Sequence, residues 1–180
     1  MAPMRVLRRS VAVIAVASAV AVATGGCSML TGPRADRTPV PISRQPLAEI
    51  KVDVKAVEAD LALFVPAELV LAVEPDTSGV IMDCSNGGVS WASHTTVRVS
   101  RPPDFEEMAE RLRATWARAP EFSVVVGDPR QAGDGFYLVG SGAQSYMVGM
   151  LGDVVQIMSF GPCFELVPER DGYPWDIRAE

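Results

Sequence analysis

Few residue types in this chain could do chemistry: a single histidine, His94, three cysteines, and acids and serines scattered around them. A Ser–His–Asp set would have to be built on His94. Its neighbour Ser93 cannot serve, because adjacent residues of an extended strand point to opposite faces. Ser90 and Ser100 share the histidine's face, but neither lies in a G-x-S-x-G elbow. Gly133-Asp134-Gly135 and Gly140-Ser141-Gly142 have no lysine after them and open no helix, so they read as turn glycines rather than phosphate cradles. Glu106, Glu107 and Glu110 crowd one outer helix side, where paired acids facing across a cleft would be needed for glycoside chemistry. Two cysteines and one distant histidine share no recurring ligand spacing. The expectation is a protein with no catalytic, cofactor or metal site.

The chemistry that remains belongs to cysteine. Residues 23–30 read ATGGCSML, directly behind the run VAVIAVASAVAVA. Arg5, Arg8 and Arg9 precede that run. A 13-residue apolar stretch, Val11 to Ala23, is too short for a hydrocarbon core, which takes about 20 helical residues. It has the layout of a secretory h-region. The Gly26–Cys27 junction resembles the bacterial lipobox, with Thr24 where leucine is commonest. The resemblance implies a signal peptide over 1–26, diacylglycerylation of the Cys27 thiol, cleavage before it, and acylation of the new N-terminus, with palmitate the usual chain. At ~0.8 kcal/mol per buried CH₂, two or more chains hold firmly where one holds weakly.

That implied modification also settles an odd cysteine count. With Cys27 lipidated, Cys84 and Cys163 remain, and outside the cytosol they are expected to form a disulfide. Two free buried thiols are the alternative. Removing 1–26 takes away three arginines and no acid, which moves the net charge from −6 to −9. Such a surface excludes nucleic acid as partner and does not grip anionic lipid, so membrane contact rests on the anchor.

The elements follow from periodicity. Residues 27–46 hold the lipidated cysteine and a tether rich in proline (Pro33, Pro39, Pro41, Pro46) that could reach roughly 50 Å at ~3.1 Å per residue. Leu47, Ile50, Val54, Val57, Leu61 and Phe64 form one helical stripe, with Glu49, Lys51, Asp53, Lys55, Glu58 and Asp60 on the remainder and Pro66 beyond. Ala67 to Val73 fits strand or helix, and Val80 to Met82 a short strand. Val89 to Ser100 alternates with period two. Asp104 caps a second helix, with Glu107 three residues on and Pro120 closing it. Phe122–Val126, Phe136–Val139, Ser145–Leu151 and Val154–Phe160 are strands, the last two joined by Gly152-Asp153 in a II′ turn. The class is α+β: an antiparallel meander of about four to five strands with two helices on it and one disulfide, in a single domain over 47–167. Residues 168–180 are a C-terminal tail that packs locally or is loose.

Folding the last hairpin about Gly152-Asp153 puts Tyr146, Val148, Met150, Val155 and Ile157 on one face, and Met147, Leu151, Val154, Met158 and Phe160 on the other. Both faces are apolar, so the second is either covered or is a partner surface for a protein or apolar ligand. Lipobox, tether, helix, cysteine spacing and closing hairpin together resemble the small cell-envelope lipoproteins of actinobacteria, as do 14 arginines against Lys51 and Lys55 alone. The resemblance implies lipid anchoring on the outer face of the cytoplasmic membrane and no catalytic residues. The expected function is a non-enzymatic binding or accessory protein of the envelope. The alternatives are an envelope hydrolase using His94 and a purely structural spacer.

Overall fold

The structure, a computed structural model, describes residues 41–85, 87–127, 135–174 and 177. The expected signal peptide, Cys27, the expected tether through residue 40 and the Gly133-Asp134 segment lie outside the described residues.

Helix α1 (Leu47–Leu63) buries the expected stripe, with Leu47, Ile50, Val54, Val57 and Leu61 almost without exposed surface. One position departs from it: Glu58, expected on the polar side, has no exposed surface. At 100° per residue, position 58 lies about 40° from 54 and about 60° from 61, inside the apolar arc. Helix α2 (Phe105–Thr115) starts where Asp104 accepts a hydrogen bond from the Glu107 N–H at 3.0 Å. It stops short of Pro120. Trp116 turns extended, donates its indole N–H to Asp60 at 3.0 Å and stacks on Phe122. A tertiary contact, not the proline, ends this helix.

The strands are β1 (Val70–Pro75), β2 (Val80–Asp83), β3 (Val89–Val99), β4 (Ser123–Val126), β5 (Gly135–Val139), β6 (Ser145–Leu151) and β7 (Val154–Phe160). They form one antiparallel sheet in the order β1-β3-β7-β6-β5-β4, and β2 also pairs with β3. Seven strands exceed the expected four to five because the long β3 shares one edge between two short partners. β1 pairs along Thr95–Val99 and β2 along Val89–Ala92. β4 to β7 form the expected meander, but α2 first carries the chain from β3 to the far edge, so the meander returns to close against β3.

Helix α1 packs on β3 and β7, and α2 on β4 and β5. Between helices and sheet lie Trp91, Val97, Val155, Ile157, Phe136, Leu138, Tyr146 and Val148, each large apolar side chain contributing ~1.5–3 kcal/mol on burial. Both helices cover the same face, so the other face carries the alternate residues of every strand. The hairpin register is as read from the sequence: Leu151 faces Val154, Met150 faces Val155 and Met147 faces Met158, around Gly152 at φ +64°.

Cys84 and Cys163 are bonded. They lie just beyond β2 and β7, at one end of the sheet, so the bond ties the short edge strand to the central pair β3–β7.

Two boundaries move. The domain reaches back into the tether, where the Ser43 N–H donates to the Cys163 carbonyl at 2.8 Å and Ser43 bridges Phe164. The tail is not merely local. In the short helix α3 (Pro168–Asp171), the Asp171 carboxylate accepts from the Leu47 N–H at 3.0 Å and the Val167 N–H at 2.9 Å, and Ile177 joins the core. Pro46 has no side-chain acceptor for the α1 terminus, so Asp171 caps that helix from 124 residues away.

The Arg170 guanidinium and the two backbone N–H groups outweigh desolvation and hold the Asp171 carboxyl down to about 2. A depressed folded pKa contributes stability that is complete above the unfolded value of about 3.9 and is lost as pH falls toward 2. Between pH 6 and pH 2.5 the urea unfolding free energy of Asp171→Asn should fall by about 2 kcal/mol less than that of the parent chain.

Candidate functional site: the helix-free face of the sheet

Strand parity decides what the open face carries. On β3 the odd residues Trp91, Ser93, Thr95, Val97 and Val99 point to the helices, and Ala92, His94, Thr96 and Arg98 point away. On β7 and β6 the outward set is Val154, Gln156, Met158 and Phe160 with Met147 and Leu151. The five side chains singled out in the hairpin therefore share the face opposite the helices. Leu151 is 59% exposed and the other four are half-buried.

A cleft of about 400 Å³ opens on this face where β2 lies along β3. Its floor and wall are Val80, Met82, Ala92, Met158 and Phe160. Only Met158 and Phe160 of the five belong to it; Met147, Leu151 and Val154 lie beyond its lining. The polar groups gather at one end. His94 Nδ1 is 3.1 Å from Asp76 Oδ2. The other Asp76 oxygen accepts from the Ser78 hydroxyl at 2.8 Å and the Ser78 N–H at 2.9 Å. Slight burial pushes the Asp76 carboxyl up, but the two Ser78 hydrogen bonds and the charges of His94 and Lys55 leave it below the usual range. An ionised Asp76 only accepts, so the proton of this contact is on His94 Nδ1, and the ring's other nitrogen, Nε2, is left for a second partner.

An Asp–His pair is two-thirds of a hydrolytic triad. The missing third is a hydroxyl on Nε2. Ser93 is turned to the opposite face, where its hydroxyl donates to Glu58 at 2.5 Å, and the Ser78 hydroxyl is held by the acid itself.

Beneath the cleft lies a second polar cluster. Glu58 accepts from the Ser93 hydroxyl through one oxygen, and through the other from the Thr95 hydroxyl at 2.7 Å and Lys55 Nζ at 2.8 Å. Lys55 also donates to the His94 carbonyl at 3.3 Å. Beside it, Trp91 Nε1 and Ser159 Oγ are buried without a hydrogen-bond partner among the described residues. Gly79 closes over that tryptophan: a β-carbon there would sit 2.4 Å from Nε1, so only glycine lets the β1–β2 connection lie against the ring. Farther along α1, Arg118 joins Asp53 at 3.0 Å and Glu121 at 2.9 Å, and Gln144 donates to the Tyr146 hydroxyl at 2.7 Å.

Sequence reasoning missed Asp76, Ser78 and Glu58. Two polar residues at inward positions of β3, matched by an acid inside the apolar arc of α1, are the signal that could have found Glu58. Asp76 carries no such signal, because its approach to His94 depends on how β1 and β2 divide the edge of β3. Among the described residues no group of acids, histidines and cysteines could hold a metal ion.

No protein-family model matches this chain, and no curated protein matches it. A crystal structure of a DUF4853 family protein from Actinomyces odontolyticus is similar over 71% of this chain and 73% of its own, at 18% identity and a TM-score of 0.47.

Removing the Glu58 side chain leaves two buried hydroxyls without their acceptor and takes the carboxylate from Lys55. Glu58→Ala should lower the urea unfolding free energy by about 3–5 kcal/mol. Replacing the cluster together, as Glu58→Leu with Ser93→Val and Thr95→Val, should recover most of that loss, because a packed apolar set needs no partners.

Proposed function

We propose that this chain is a lipid-anchored extracytoplasmic protein of the cell envelope that binds a partner or ligand on the open face of its sheet and catalyses no reaction. The anchor reading rests on Cys27 behind the 13-residue apolar run. It is supported by the Cys84–Cys163 bond, which suits an oxidising compartment and leaves Cys27 as the odd cysteine. The binding reading rests on one observation: the helices leave one sheet face uncovered, and that face carries a cleft floored by methionine, valine and phenylalanine. Methionine packs adaptably against varied shapes, and a sizeable exposed apolar patch marks an interaction surface. Expressed in a bacterial host and fed a clickable palmitate analogue, the full chain should take label, and Cys27→Ser should take none. Equal labelling of the two would remove the anchor.

The hydrolase reading is favoured by one contact, His94 Nδ1 to Asp76 Oδ2 at 3.1 Å. Among the described residues it lacks a hydroxyl hydrogen-bonded to Nε2. The oxidised protein should cleave p-nitrophenyl acyl esters no faster than its His94→Ala variant. Turnover that disappears with His94 would replace the binding reading by this one.

A further inference from the structure

The cleft is polar at one end only, where His94, Gln156 and Ser78 lie. Along the β3–β7 pair the outward partners run Thr96 opposite Gln156, His94 opposite Met158, and Ala92 opposite Phe160. Gln156, His94 and Ser78 thus meet at one end, while Val80, Met82, Met158 and Phe160 line the rest. A volume of about 400 Å³ lies within the range of ~300–1,000 Å³ typical of small-molecule sites. An occupant that satisfies both ends has a hydrocarbon tail and a polar head.

The groups at the head end restrict its charge. An anionic head would meet the Asp76 carboxylate just behind His94, on a chain of net charge −6. A cationic head would need a free carboxylate, but both oxygens of Asp76 are engaged, one by His94 and one by Ser78. His94 Nε2 has no hydrogen-bond partner among the described residues, and a hydroxyl, which both donates and accepts, can pair with it in either state of the ring. The Gln156 side-chain amide both donates and accepts. Deepening the binding reading above, on which it rests, we propose that the cleft takes an uncharged single-chain amphiphile. Its tail lies over Met82, Met158 and Phe160, and its hydroxyl- or amide-bearing head bonds to His94 and Gln156. The simplest member of the class is a 1-monoacylglycerol.

The test is photocrosslinking with a monoacylglycerol that carries a diazirine in its acyl chain. The probe is used below its critical micelle concentration on the oxidised full chain with Cys27→Ser. Adducts are expected on the peptides of β2 and β7 that carry Met82 and Met158, with displacement by 1-oleoylglycerol. Met158→Glu should cut the yield about tenfold by setting a charge against the tail. His94→Ala should weaken displacement about fivefold, the worth of one neutral hydrogen bond. Arg98→Ala, on the same face but outside the cleft, should change neither. Near-ultraviolet circular dichroism reports whether each variant keeps its fold, and Met82→Glu repeats the test from the other wall. Adducts lying chiefly outside β2 and β7, or indifference to Met158→Glu and Met82→Glu in folded protein, would overturn the proposal. Oleate or oleylamine displacing the probe better than 1-oleoylglycerol would overturn the uncharged head. Failure here leaves palmitate labelling of Cys27 untouched, and loss of that labelling leaves this binding result standing.

Discussion

A carboxylate with no exposed surface lies between α1 and β3, and the placement of the open face depends on it. Burying one ion is costly unless its lone pairs are taken up, and here two hydroxyls and an ammonium take them up. Those partners sit at positions 93 and 95, two apart on one strand. Strand alternation then leaves no freedom: with Ser93 and Thr95 turned to the helix, Ala92, His94 and Thr96 must face away. A slip of one residue in β3 would bring the imidazole of His94 beneath the helix and send two hydroxyls to solvent, leaving Glu58 with Lys55 alone. An apolar interface would tolerate small sliding far better. The polar cluster is thus a register device, and Lys55 extends it by donating to the backbone carbonyl of His94.

The second constraint is the division of β3's outer edge. β1 and β2 each cover half of it, and neither four to six residues of strand nor one row of hydrogen bonds would hold β2 firmly alone. The Cys84–Cys163 bond supplies the brace. It closes a separation of 79 residues, for which the chain-entropy model gives about 4–5 kcal/mol. It also acts locally, since it fixes the end of the strand that forms the cleft wall to the end of the strand that forms its floor. Gly79 works at the other end of the same strand, letting the chain press against Trp91.

What the sequence disclosed was what local pattern encodes. Gly152-Asp153 between two alternating runs determined the pairing of Met147 with Met158, and the spacing of Leu47 to Leu61 determined the buried side of α1. What stayed hidden depends on contacts far apart in the chain. Asp171 reads as a polar residue in a loose tail until its partner, the first N–H of α1, is known. Ala67 to Val73 left strand and helix open, and Val70–Pro75 becomes a strand because β3 offers it an edge, beside the short strand already legible at Val80 to Met82. Glu58 was hidden differently: charge alternation along α1 assigned it to solvent, although helical geometry alone places it among Val54 and Leu61.

The same parity that builds the cleft also bears on catalysis. A nucleophilic serine must reach the imidazole nitrogen that its acid partner leaves open. The hydroxyl of the adjacent Ser93 is held on the opposite side of the sheet by Glu58 at 2.5 Å, and releasing it would take the donor from one oxygen of the buried carboxylate. At the polar end of the cleft, the Ser78 hydroxyl is spent on Asp76. Freeing either would disturb what positions His94: the first by taking a donor from Glu58, the second by loosening the acid that orients the ring. Among the described residues the imidazole therefore has an acid partner and no hydroxyl on its other nitrogen, and it borders an apolar floor of Met82, Met158 and Phe160.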